Sequence, residues 1–178
     1  MALHVIVDGY NFLHASARLS ELLPRDLEAA RHALIQVLGR YRRSRGHQVS
    51  VVFDCARGVA LPLAASRKST VGGVGVIFSR PGQEADAVIG EMARRAGMKA
   101  VVVTADTALA EACRRSGAAI TSPAEFEALL TGGPEAGGGE AGDEEDEDDE
   151  GGPKGRKKGP ARKPPRSERR ERLRKKKL

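Results

Sequence analysis

Up to about Leu130 the chain alternates two patterns. Short unbroken apolar runs are separated by stretches in which apolar residues recur every three or four positions. Residues 3–8 (LHVIVD) are the first run. They are rich in β-branched side chains, end on an aspartate and are followed by Gly9, which predicts a buried strand and then a break. Residues 26–45 show the second pattern. Leu27, Ala30, Leu34, Val37, Leu38 and Tyr41 share one helical face, with Asp26 as N-cap and Gly46 as stop. Residues 49–54 (VSVVFD), 74–78 (VGVIF), 100–104 (AVVVT) and 118–121 predict four further strands. Residues 83–96, 107–116 and 123–130 predict helices. Residues 55–73 have no period and read as a long loop. Apolar strands alternating with helices predict an α/β fold, with a mostly parallel sheet of about five strands covered on both faces.

Composition changes this picture only at the C-terminal end. Apolar residues nearly vanish beyond Thr131, so the core belongs to residues 1–130, one domain's worth of chain. Residues 131–153 are a Gly-rich and acidic linker with no Lys or Arg and 10 acids. Residues 154–178 carry 14 Lys+Arg against 2 acids. Both segments have the composition of disordered tail, the second able to become helical on a partner. A basic end points to a polyanionic partner, nucleic acid ahead of an acidic membrane surface. The two cysteines, Cys55 and Cys113, are far apart and form neither a disulfide framework nor a zinc module. With no apolar run long enough to span a bilayer and no signal-peptide pattern, a cytoplasmic protein without a membrane partner is expected.

Candidate chemistry lies at the strand ends. In an open parallel sheet the carboxyl ends of the strands share one edge, and ligands bind in the crevice there. Asp8, Asp54 and Asp106 each follow a predicted strand, Asp86 opens the helix after the third strand, and Glu84 precedes it by two residues. Each has an ordinary role open to it as well, Asp106 as a helix cap, Asp86 as a first-turn charge and Asp54 as a turn residue. Gathered together, carboxylates repel one another and raise each other's pKa, which a divalent cation relieves. All-oxygen ligands select Mg²⁺ or Mn²⁺, ions that bind a phosphodiester and activate water. Asn11 adds an uncharged group for a ligand water or substrate oxygen, and Gly9 allows close approach. Arg57, Arg67, Lys68 and Arg80 lie on predicted loops leading to the crevice and are candidates to track an RNA backbone. A phosphatase or phosphotransferase with Asp8 or Asp54 as nucleophile is disfavoured, since neither is followed by a second acid two residues on.

The ordered set VDGYN (7–11), VVFD (51–54), EAD (84–86) and VVTAD (102–106) resembles the NYN domains of the PIN-like nuclease superfamily, in particular the YacP-like branch. The resemblance covers residues 3 to about 130. It implies a PIN-like three-layer α/β/α sandwich and a metal-dependent endoribonuclease. On that reading Asp8, Asp86 and Asp106 carry the metal, Asn11 supports the site and Asp54 is peripheral. It further implies action on messenger RNA in association with ribosomes. The helix after Asp86 reads Ala87-Val88-Ile89-Gly90, less polar than the family pattern, which leaves Glu84 or Asp54 to supply a fourth acid. That departure also sustains an alternative, a non-catalytic RNA- or ribosome-binding protein on the same fold.

Overall fold

A computed structural model describes residues 2–55, 68–131, 166–175 and 177–178, with the side chains of 166–170 left aside. Six strands form one sheet in the order β3-β4-β2-β1-β5-β6. They are β1 (His4–Asp8), β2 (Gln48–Phe53), β3 (Lys68–Val71), β4 (Val74–Phe78), β5 (Ala100–Val103) and β6 (Ala119–Thr121). All pairs are parallel except β3 with β4. The helices are α1 (Gly9–Ala15), α2 (Leu27–Arg45), α3 (Ala85–Ala96), α4 (Thr107–Arg115), α5 (Pro123–Thr131) and α6 (Arg166–Lys175).

The strands alternate their side chains between two cores. Val5, Val7, Val51, Phe53 and Val76 pack under α1, α2 and α5, while Ile6, Val52, Val102 and Ile120 pack under α3 and α4. This is the three-layer α/β/α sandwich expected from apolar strands wound with helices on both sides. Among the described residues no helix is long and apolar enough to cross a membrane.

Two elements differ from the sequence expectation. The end of the predicted loop is a strand. β3 is exposed along its length and carries no apolar alternation, so no buried face marks it in the sequence. The turn Gly72-Gly73, both at positive φ, folds it back on β4 as an antiparallel hairpin. The break expected at Gly9 is instead the first turn of α1, which Asp8 caps by accepting a bond from the Asn11 N–H. Gly9 is required by packing and not by turning. A Cβ there would lie 2.4 Å from the Phe53 ring and 2.8 Å from the Val52 carbonyl.

α2 obeys its signals closely: the Asp26 carboxylate accepts from Glu28 and Ala29 N–H, and Gly46 ends it at φ 67°. Residues 131–153 of the expected linker lie outside the described residues except Thr131, the last residue of α5, and so do residues 154–165 of the basic segment. The remainder of the basic segment forms α6, which packs beside β6. Glu171 accepts from the Ile120 N–H (3.3 Å), and Arg174 donates to the carbonyls of Met98 and Gly117. Beyond α6, Leu178 is buried and its carbonyl accepts from the Tyr41 hydroxyl (2.8 Å). That edge of the sheet is thereby covered, as exposed strand edges must be.

Candidate active site

The parallel strands bring their carboxyl ends to one edge, and an open crevice of about 550 Å³ lies there. Asp8, Tyr10, Asn11, Asp54, Glu84 and Asp86 are among its lining residues. Asp8 is held deepest, at 8% exposure. Its two oxygens are bonded at long range, one to the Asn11 N–H (3.3 Å) and one to the Thr104 hydroxyl (3.4 Å). The Asn11 side chain turns the other way and accepts from the Ala105 N–H (2.8 Å), tying α1 to the loop after β5.

Asp106 follows that loop. It does cap α4, accepting from the Leu109 N–H at 2.8 Å, so the ordinary role holds alongside any other. Its own N–H donates to Thr104 Oγ1 (3.0 Å). Thr104 therefore links Asp8 to Asp106, a role the sequence reading missed. Its signal was a hydroxyl at the end of an otherwise aliphatic strand. Ser79 plays the same part on the other side of the crevice, donating to Asp54 (3.3 Å) and accepting from the Cys55 N–H (3.0 Å).

The acids are near enough to act on one another's protonation. Burial pushes the Asp8 carboxyl up to about 6, and Asp86 and Asp106 push further against the opposing pull of Asn11 and Thr104. Asp86 is raised by partial burial and by Asp106, Glu84 and Asp54. All five acids predicted from the sequence thus belong to one field. They are not collapsed on one point: among the described residues no three acid, His or Cys groups stand close enough to hold an ion together as they are. The donor set is nevertheless entirely oxygen, mutually repelling and in part protonation-prone, which fits a hard divalent cation of the Mg²⁺ or Mn²⁺ class.

The predicted RNA-tracking cations are placed less uniformly. Arg57 and Arg67 lie outside the described residues. Arg80 is exposed on the turn between β4 and α3. Lys68, expected on a loop beside the crevice, is on β3 and lines a second groove on the α3 side of the sheet. Of the cysteines, Cys55 is partly exposed beside Asp54. Cys113 is buried on α4, its thiol pushed up by burial and by Asp86.

Residues 5–150 match the family model of the YacP-like NYN domain. The protein YacP of Bacillus subtilis (strain 168) is 36% identical over 90 residues, which is 51% of this chain and 51% of that protein. The chain is thus matched to about half the length of this curated relative. A crystal structure of Rae1 (YacP) from Bacillus subtilis superposes with TM-score 0.62 and 30% identity, over 73% of this chain and 74% of that one. A point mutant of the same protein gives 0.59 and 28%, over 71% and 73%.

Proposed function

Because the chain belongs to the YacP-like NYN domain family, whose fold is of nuclease type, we propose that it is a metal-dependent endoribonuclease acting on RNA, with messenger RNA on the ribosome as its setting. The observation that carries this reading is that Asp8 and Asp86, remote in sequence, line one crevice, with Asp106, next to the lining residue Ala105, close enough to raise both carboxyls. These three would hold a divalent ion of the Mg²⁺ or Mn²⁺ class, with Glu84 or Asp54 as a fourth acid. Such an ion, when bound, supplies Lewis-acid activation of water and neutralises charge at the scissile phosphodiester.

The chain's own part is positioning. β1 fixes Asp8 rigidly. Asn11 locks α1 against the loop that carries Asp106, and its amide N–H₂ is left to donate towards a substrate oxygen. Thr104 keeps Asp8 and Asp106 in register with each other.

Purified full-length chain incubated with a structured RNA tests the proposal. Cleavage in Mn²⁺, abolished by EDTA and by Asp8→Asn, is the expected result. Undiminished cleavage in EDTA, or none in Mn²⁺, overturns it. One observation favours a non-catalytic RNA or ribosome binder instead: the acids do not stand at chelating separation among the described residues. RNA binding without cleavage in the same assay would select that reading.

A further inference from the structure

The sheet face that packs under α3 is aliphatic only at its centre. Ile6, Val52 and Val102 lie in the core there, as a helix-covered parallel sheet requires. Away from the crevice, towards the other edge of the sheet, the same face turns polar. Ser50 stands opposite Gly75 and Gly75 opposite Thr70, so the three make one row across β2, β4 and β3. His4 and Gln48 are partners beside that row on β1 and β2, and Lys68 begins β3. All of these line one groove near the end of α3, about 660 Å³ in volume.

The floor of the groove is low and carries hydrogen-bonding groups. A Cβ on Gly75 would lie 3.1 Å from Ser50 Oγ, so a side chain there would crowd the hydroxyl. Ser50 Oγ and His4 Nε2 are hydrogen-bonded at 2.9 Å. Thr70 and Gln48 are exposed. Cations come from two sides of the fold: Lys68 from the edge strand, Arg95 and Lys99 from the end of α3 and just beyond it. The Arg42 guanidinium lies against Gly73, another lining residue. Arg95 also pairs with Glu91 on the helix surface, a contact of the exposed kind that is worth little. Arg95 and Lys99 alone would say little, since cations gather at helix ends. Lys68 is on a strand, and helix polarity accounts neither for it nor for the row of hydroxyls. No acid and no aromatic ring is among the described residues that line the groove.

This composition defines a ligand. A groove without rings offers no platform for stacking bases, and one without acids does not repel phosphate. Its donors are cations, hydroxyls and an amide, the groups that contact phosphate and sugar. We infer that the groove is a second RNA-binding surface, which holds the sugar–phosphate backbone of a segment flanking the one in the crevice and reads no bases. The inference rests on the nuclease reading for RNA as the polyanion. α3, roughly 18 Å long at 1.5 Å per residue, separates groove from crevice. The groove therefore adds affinity and does not touch the reacting phosphodiester.

The test measures binding of labelled oligouridylate and oligoadenylate by the full chain, in EDTA so that neither is cut. The triple variant Lys68→Gln, Arg95→Gln, Lys99→Gln is compared with Arg18→Gln, Arg114→Gln, Arg115→Gln, which removes three exposed cations outside the groove. These are surface changes that leave stability nearly untouched, and a thermal melt checks both proteins. The groove variant is expected to lose affinity for both RNAs about tenfold at physiological salt. Its plot of log affinity against log salt becomes shallower by about 2, at roughly 0.7 per phosphate contact. The control variant changes affinity by less than about twofold, the basic segment 154–178 being common to both. In cleavage assays the groove variant raises KM and leaves kcat unchanged. Saturating RNA shifts the His4 ring resonances of the wild-type chain. No loss in the groove variant, equal loss in both variants, or His4 resonances unmoved by saturating RNA overturns the groove; net charge or the basic segment then holds the RNA. An oligoglutamate that moves His4 as far as RNA of the same charge overturns RNA as the ligand. If the wild-type chain cleaves no RNA in Mn²⁺, the nuclease reading falls by itself, and the binding measurements still decide the groove.

Discussion

Two hollows flank α3, and they carry opposite charge. The crevice at its N-terminal end is lined by Asp8, Asp54, Glu84 and Asp86. The groove near its C-terminal end, about 660 Å³, is lined by His4, Lys68, Arg95 and Lys99, and no acid is among its lining residues. Much of this contrast is a consequence of topology. In a parallel sheet the crossover helices start at the carboxyl edge and end at the other. Helix starts favour acids and helix ends favour bases. Asp26, Asp86 and Asp106 stand at helix starts, while Arg42, Arg43, Arg45, Arg94, Arg95, Arg114 and Arg115 stand at ends. Sign alone therefore does not mark a site. What distinguishes the crevice is burial: Asp8 is sunk in the sheet edge and coupled to two other acids, whereas Lys99 and Arg95 are exposed.

The sharpest way to break this contrast is catalytic. Asp86→Asn or Asp106→Asn should lower the initial rate of RNA cleavage on the order of a thousandfold, beyond the roughly 10–100-fold typical of a ligand's supporting partner. Lys99→Glu in the groove should change kcat by less than about twofold. Next comes packing. Gly9→Ala should destabilise by about 3 kcal/mol in urea titrations, because its Cβ would meet the Phe53 ring and a backbone carbonyl. Gly75→Ala, whose Cβ would meet the Ser50 hydroxyl at 3.1 Å, should cost under about 1 kcal/mol.

A smaller effect has the opposite sign. Folded Asp8 holds its proton up to about pH 6, against an ordinary value of 3.8. Between those values the folded state binds more protons than the unfolded chain, so stability falls as pH rises and the full cost is present above the folded value. In EDTA, Asp8→Asn should therefore raise stability at pH 7.5 by about 2–3 kcal/mol, an advantage that shrinks to nothing by about pH 4. Equal stability of the two proteins at pH 7.5 would mean the carboxylate is better solvated than its burial indicates. The smallest effect belongs to the groove. His4 is held below its ordinary value by burial and by Lys68, so Lys68→Gln should move its NMR titration midpoint upward by less than about one unit.

The sequence made the crevice legible because its acids stand where strands stop, and a strand end is visible as the last residue of an apolar run. Asp8, Asp54 and Asp106 were each found that way. Thr104 and Ser79, which orient them, are single hydroxyls whose partners lie far along the chain, so no local pattern exposes them. α1 was hidden because Gly9 reads as a breaker when it stands in fact under the Phe53 ring. β3 was hidden because an exposed edge strand has no face to bury. Arg31, buried on α2, left a trace: it falls four residues after Leu27 and three before Leu34, on the apolar face of the helix. A charge at such a position is the signal that periodicity alone passes over.

The two thiols also differ, and this gives the molecule a built-in reporter site. Cys113 is sealed in the core with its proton held tightly, while Cys55 stands partly open next to Asp54. A maleimide dye or spin label added to the native chain should attach at Cys55 alone, at the lip of the crevice, and register occupancy there without any engineered cysteine.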